Sequence, residues 1–319
     1  MMRVAVLDDY QGAALTLADW QSLHPAVQIE SLPEHIADEA TLARRLHVFE
    51  GIVLMRERTA VPRSLIERLP NLRLIITAGM RNAALDVAAA TERGIQVCGT
   101  EMLGYPTAEL AWGLIIALFR HIPEENAAIR TGRWQTTLGH GLHGKTLGVL
   151  GLGRLGSQVA AVGKVFGMEV IAWSQNLTDA RAHEHGVRRV SKDDLFARSD
   201  VLSIHLVLSD RSRGLVGAGE LARMKPGAYL VNTSRGPIID EAALIACLRQ
   251  RRIAGAALDV FDREPLPKDH PLLGLDNAIL TPHLGYTCEE AYRLVYGQAV
   301  EVIRGFLDGK PVRTINRLS

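Results

Sequence analysis

Along the first part of the chain, short apolar runs alternate with stretches in which apolar positions recur every third or fourth residue. The runs Arg3–Asp8, Val27–Glu30, Gly51–Met55, Leu72–Thr77 and Ile95–Cys98 predict strands. Their Ala, Val, Leu and Ile content suits a buried parallel sheet covered by helices. Between them Glu39–Leu46, Arg63–Leu69 and Val87–Arg93 have the spacing of amphipathic helices. Strand and helix in alternation imply a parallel sheet, here of about five strands. Thr107–His121 is then one long helix, so apolar that it is expected to be buried, between domains or at a subunit interface. A shorter helix, Glu124–Thr131, and a Gly/His-rich loop, Leu138–Gly144, follow.

A second alternating series begins at Thr146–Leu150. Its further strands are Glu169–Trp173, Val187–Val190, Val201–Leu206, Ala228–Asn232, Gly255–Leu258 and Ala278–Leu280, with helices at Leu155–Phe166, Asp193–Arg198, Gly219–Met224 and Glu241–Arg249. This is the doubly wound pattern, whose ligands bind outside the carboxyl ends of the strands. An amphipathic helix, Glu289–Leu307, ends the series and is expected to pack back on the first domain. The predicted fold class is therefore α/β with two doubly wound domains. A first domain of residues 1–99 and 286–319 is interrupted by a second of residues 100–285.

The second series opens on Gly151-Leu152-Gly153-Arg154-Leu155-Gly156, set between a strand and a helix. In a G-x-G-x-x-G turn the first two glycines allow a tight turn and close backbone approach, and the third lets helix pack on strand. The helix amides then face a pyrophosphate. The competing reading is a tight turn made for steric reasons alone.

Composition narrows the rest. A length of 319 residues suits two domains, and with only 5% aromatic residues the core rests on Ala, Val, Leu and Ile. A net charge of +1 gives no reason to expect a nucleic acid or an anionic membrane as partner. Cys98, Cys247 and Cys288 are far apart and have no metal or redox spacing, which reads as a reduced compartment. His140 and His143 read as solvated, and no metal site is expected. Met1–Asp9 is a strand start rather than a signal peptide, and the longest apolar run, Leu110–Phe119, is too short for a bilayer. The expectation is a soluble, cytoplasmic protein.

Three charged residues follow predicted strands of the second series: Arg235, Glu264 and His283. Together they suit hydride transfer to a carbonyl. Histidine titrates near neutrality and can supply the proton, a carboxylate beside it orients the ring and favours its protonated form, and arginine grips a carboxylate two-pronged. Each alone has a bland reading, as a turn, a helix end or a surface residue.

With these motifs in place, the chain resembles the D-isomer-specific 2-hydroxyacid dehydrogenase family. The resemblance is carried by Gly151–Gly156, Val201–Leu208, Met224–Asp240, Ala257–Pro265 and Thr281–Gly285, and it covers essentially the whole chain. It implies a Rossmann-type domain inserted into a flavodoxin-like substrate domain, with the active site in the cleft between them. His283 would be the acid/base, Glu264 its partner and Arg235 the substrate arginine. Cofactor contacts would fall at Gly151, Gly153, Arg154, Leu155, Gly156, Ser174, Leu206, Thr233, Ser234, Asp259, His283 and Gly285, with Asp259 on the nicotinamide carboxamide. Substrate contacts would fall at Arg56, Gly79, Met80, Arg81 and Arg235. It further implies a homodimer, through a region like Thr107–His121. Glu264 argues against formate dehydrogenase, a relative with glutamine there.

Two departures bear on specificity. The strand that normally ends in an acid for the ribose hydroxyls ends here in Trp173-Ser174-Gln175-Asn176. NADP is then open beside NAD. NAD is preferred, because no arginine follows directly and Arg154 is only a candidate for the extra phosphate. The family's substrate loop, Ala-Gly-Val-Gly, is Ala78-Gly79-Met80-Arg81 here. If Arg56, Arg58 and Arg81 face the substrate, it carries a second anionic group; otherwise Arg58 and Arg56 are solvated charges. The expected activity is NAD(P)-dependent interconversion of a small 2-oxo acid and its D-2-hydroxy acid. Alternatives are D-3-phosphoglycerate dehydrogenase specifically, expected without the C-terminal regulatory domain some carry, glyoxylate/hydroxypyruvate reductase, and a non-catalytic NAD(H)-sensing protein like the corepressors that resemble this family.

Overall fold

Two parallel sheets organise the computed structural model, which describes residues 1–318. The chain divides into two units, Met1–Leu103 with the return from Cys288 onward, and Gly104–Thr287.

The first unit contains β1 (Met2–Leu7), β2 (Val27–Leu32), β3 (Gly51–Leu54), β4 (Leu74–Thr77) and β5 (Gln96–Gly99), in the order β2-β1-β3-β4-β5. All four pairings are parallel, and this is the flavodoxin-like order. Its core side chains, Ala5, Ile52, Ile75 and Val97 among them, are fully buried. The helix Glu289–Leu307 buries Tyr292, Val295, Tyr296, Ala299, Val302 and Ile303 in this unit. Beyond it the chain returns to the edge of β5, where Thr314 bridges Cys98 antiparallel.

Asn316 fastens that return. Its Oδ1 accepts from the Val97 amide at 2.7 Å and from Gln96 Nε2 at 3.0 Å, and its Nδ2 donates to Thr91 Oγ1 and the Ile95 carbonyl, each at 2.9 Å. Removing the side chain strands buried donors and acceptors on β5. Asn316→Ala is therefore expected to cost about 2–3 kcal/mol in urea unfolding. A loss below about 0.5 kcal/mol, the scale of an ordinary surface change, would show the clip to be dispensable.

The second unit contains β6 (Thr146–Leu150), β7 (Glu169–Trp173), β8 (Arg188–Arg189), β9 (Val201–Ile204), β10 (Tyr229–Asn232), β11 (Gly255–Leu258) and β12 (Ala278–Leu280). Their order is β12-β11-β10-β9-β6-β7-β8. The chain winds outward from β6 through β7 to β8, then crosses back to β9 on the other side of β6. The turn after β6 thus sits at the topological switch point of a Rossmann-type sheet.

The apolar helix is observed at Pro106–Arg120, and one side of it is buried within its own unit. Ala111, Trp112, Ile115 and Phe119 belong to the core of the second unit itself, with Leu147, Val149, Val159 and Val231. Trp112 donates to the Val159 carbonyl at 3.2 Å, and Gly163 of the neighbouring helix leaves room for Leu147, whose Cδ2 a Cβ would meet at 2.7 Å. A helix covering a doubly wound sheet needs this apolar width without any subunit interface. The helix Asp179–Glu184, capped by Thr178, has no counterpart in the sequence expectation, because its one buried residue, Ala182, sets up no periodic signal.

Candidate active site

The backbone register brings one row of side chains to the carboxyl edge of the second sheet. Leu150 pairs with Ile204, Ile204 with Asn232, Asn232 with Leu258 and Leu258 with Leu280. The next residues, Gly151, His205, Thr233, Asp259 and Thr281, therefore lie side by side. Side chains alternate along a strand, so these residues share a face.

At the Gly151 end the glycines are sterically required. Gly151 has φ +104°, and a Cβ there would meet the His205 carbonyl at 2.7 Å. A Cβ on Gly156 would lie 2.0 Å from the Gly151 carbonyl oxygen. Around Gly153 a Cβ would meet nothing within 4 Å. The helix Arg154–Val165 starts there with no side-chain cap, so its first amides point into that open space. A hollow faced by uncapped amides fits a pyrophosphate. The Thr233 hydroxyl and His205 Nδ1, on the strands beside it, are buried without hydrogen-bond partners among the described residues. Polar atoms left over in this row fit a bound dinucleotide. Arg154 is exposed, and its guanidinium lies against Gly104, where a Cβ would meet Nη1 at 2.8 Å. Ser174 follows β7, and the Trp173 carbonyl accepts from the Gly151 amide at 2.9 Å.

His205 was not among the sequence candidates. The signal was present as Ser203 and His205, two polar positions at period two on an otherwise apolar strand. Ser203 Oγ lies 2.8 Å from His205 Nε2, and burial pushes the histidine pKa down to about 4. The ring is then neutral when folded and takes a proton more readily when unfolded. Its contribution is complete above about pH 6.5 and is lost as the pH falls toward 4. Urea unfolding at pH 7 and pH 5 should thus show a larger acid loss for the wild type than for His205→Asn. Equal losses would dissociate His205 from the acid sensitivity.

The loop after β10 is shaped by Asn232, whose Oδ1 accepts from the Ser234 amide and whose Nδ2 donates to the Arg235 carbonyl, each at 3.0 Å. Ser234 Oγ donates to the Ile204 carbonyl at 3.0 Å. Arg235 Nη1 donates to the Ser234 carbonyl at 2.8 Å. Gly236 is where this loop meets the one after β11; a Cβ would lie 2.1 Å from the Phe261 carbonyl carbon. That approach brings Arg235 within electrostatic reach of Glu264.

Glu264 Oε1 accepts from the Phe261 amide at 2.9 Å, and Oε2 faces His283 Nδ1 at 2.6 Å. Burial works to raise the Glu264 pKa, but the hydrogen bond and charge of His283, the Phe261 amide and Arg235 outweigh it. The carboxyl is held below its ordinary range. A carboxylate only accepts, so Nδ1 carries the proton and Nε2 is left for exchange with a ligand. The Tyr286 ring meets the imidazole edge-on at 5.3 Å. Leu206 is half-buried after β9, and Gly285 is buried. Among the described residues no group of three His, Cys, Asp or Glu is arranged to hold a metal ion, and no helix is long and apolar enough to cross a membrane.

In the first unit, Gly79 has φ +89°, and a Cβ there would meet Arg56 Nη1 at 2.6 Å. Arg56 thus lies on the Gly79 loop, and Asn82 Nδ2 pins the Arg56 carbonyl at 2.8 Å. The Gly79 amide donates to Thr100 Oγ1 at 3.3 Å. Met80 and Arg81 are exposed. Arg58 is half-buried and engaged within the first unit. It donates to the Asp8 carbonyl at 2.8 Å and to the Tyr292 hydroxyl at 3.1 Å, and stacks on Tyr10.

The model of the D-isomer specific 2-hydroxyacid dehydrogenase NAD-binding domain matches residues 112–285. The chain is 41% identical over 264 residues to the glyoxylate reductase of Aeropyrum pernix, covering 79% of each. It is also 41% identical over 264 residues to the D-3-phosphoglycerate dehydrogenase of Methanocaldococcus jannaschii, covering 80% of this chain and 50% of that one. Among solved structures it matches the phosphoglycerate oxidoreductase of Vibrio cholerae O395 with a TM-score of 0.93 and 37% identity, covering 97% of this chain and all of that one.

Proposed function

The chain belongs to the D-isomer specific 2-hydroxyacid dehydrogenase family of NAD-dependent oxidoreductases, and from that premise we propose that it reduces a small 2-oxo acid to its D-2-hydroxy acid, reversibly, with His283 as acid/base. The observation that carries this is the 2.6 Å contact between Glu264 Oε2 and His283 Nδ1. Glu264 holds the ring by Nδ1 and so fixes its tautomer and orientation. Nε2–H then donates its proton to the substrate oxygen; in the reverse direction neutral Nε2 takes it back. The nicotinamide cofactor supplies the hydride to C2. Arg235 grips the substrate carboxylate and polarises the carbonyl beside it.

The residues after β6 hold the pyrophosphate. The absence of an acid at Ser174 leaves NADP open, but no arginine follows it directly to hold a further phosphate, which supports NAD as the preferred cofactor. To the substrate we also assign Gly79, Met80 and the two cations, Arg56 and Arg81, which favour a second anionic group on it. NADH and NADPH oxidation against glyoxylate, hydroxypyruvate, phenylpyruvate, 2-oxoglutarate and phosphohydroxypyruvate tests this reading. Retained NADH binding with no turnover on any of them would favour a NAD(H)-sensing protein instead.

The proposal extends to a homodimer. Ile122, Ile129, Trp134 and Leu138 are 48%, 54%, 74% and 91% exposed on one short stretch, more apolar surface than a free face usually leaves in water. Trp134→Glu is expected to convert dimer to monomer in sedimentation velocity. An unchanged sedimentation coefficient would place any contact elsewhere.

A further inference from the structure

Asp259 makes no contact that leaves its carboxylate turned outward. It is fully buried, and the hydrogen bonds of its carboxylate reach the loop that carries His283. Oδ1 accepts from Thr281 Oγ1 at 2.6 Å and from the Leu284 amide at 2.7 Å, and Oδ2 accepts from the Gly285 amide at 2.9 Å. These donors lie two residues before His283 and one and two residues after it.

His283 itself has φ +54°. That left-handed conformation costs a non-glycine residue about 1 kcal/mol. It also turns the two following amides toward a common point, the arrangement that makes a concave anion site of the backbone. The anion in that concavity is the Asp259 side chain. Gly285 lets it close, since a Cβ there would stand 3.3 Å from Asp259 Oδ2 and 3.1 Å from Thr107 Oγ1.

From this arrangement we propose that Asp259 is a positioning residue for His283. Its carboxylate fills the backbone concavity at Leu284 and Gly285, holds His283 left-handed, and so aims the imidazole at Glu264. This rests on the reading of His283 as acid/base. Three donors on one loop occupy most of the acceptor sites of the buried carboxylate and tie it to that loop.

Asparagine at 259 keeps the shape but turns an NH2 toward one of the three donors, breaking the clamp. Asp259→Asn is expected to lower kcat about tenfold to a hundredfold, the scale of a misplaced catalytic group. Hydrogen exchange at the Leu284 and Gly285 amides should accelerate. Tryptophan-quenching Kd values for NADH and for ADP-ribose, which lacks the carboxamide, should both stay within about twofold of wild type. Thr281→Val, which removes one of the three bonds at constant shape, should move kcat and exchange in the same directions by less, and serves if Asp259→Asn fails to fold. Weaker NADH binding with ADP-ribose unchanged and exchange unaltered would overturn the proposal in favour of the carboxamide contact. Unaltered exchange with unaltered kcat would overturn it outright. A wild type that binds NADH but turns over no 2-oxo acid would sink the proposed function, while the exchange experiment would still decide the clamp.

Discussion

His283→Ala is expected to lower kcat for 2-oxo acid reduction by about a thousandfold while leaving the Kd for NADH within a few-fold of wild type. The size follows from the loss of a positioned proton donor, which contributes on the order of a hundredfold to ten-thousandfold. The ring is part-exposed, its side chain 22% accessible, so removing it leaves no large cavity and the unit should remain folded. What disappears is the 2.6 Å partner of Glu264. Glu264→Gln should be milder. Glutamine still reaches Nδ1–H through its oxygen and so still holds the ring, although as a weaker, uncharged acceptor. Stopped-flow reduction with saturating NADH separates the two variants. Normal turnover in His283→Ala would remove His283 from the mechanism.

Gly156→Ala and Gly153→Ala are expected to part company at the glycine turn. At Gly156 a methyl would sit 2.0 Å from the Gly151 carbonyl oxygen, and both partners are backbone. The helix must move off the strand, which costs about 1–3 kcal/mol of stability and carries the amides with it. NADH affinity should fall by about a hundredfold and Tm should drop. At Gly153 a methyl meets no protein atom within 4 Å, and φ −85° suits alanine. Its stability should stay at the wild-type value, but the methyl stands in front of the helix amides, so NADH should bind more weakly all the same. Calorimetric titration beside thermal melting reads both quantities. Wild-type NADH affinity in Gly153→Ala would show that the hollow holds no pyrophosphate.

Much of the architecture was legible because it is local. A continuous apolar run such as Val149–Leu150 followed by Gly151–Gly156 announces strand, turn and helix within ten or so residues. Arg235, Glu264 and His283 could be picked out because each follows such a strand. The apolar stretch at Pro106–Arg120 was correctly a buried helix, yet hydrophobicity alone has no address, and it proved to cover the sheet of its own unit. Arg58 illustrates the same limit. Its charge suggested solvent or an anionic ligand, while its actual partner, Tyr292, lies 234 residues away in sequence.

The sequence by itself therefore determined the elements, the family resemblance and the candidate chemistry, since propensity, periodicity and glycine sterics act over a few residues. Only the tertiary structure decided that β9 returns beside β6, that Glu264 meets Nδ1 of His283, that Asn316 closes on β5, and that Asp259 spends its carboxylate on the loop of His283. Those contacts join segments whose approach is set by sheet register and loop closure, and a buried polar group takes whichever partner that register brings within reach.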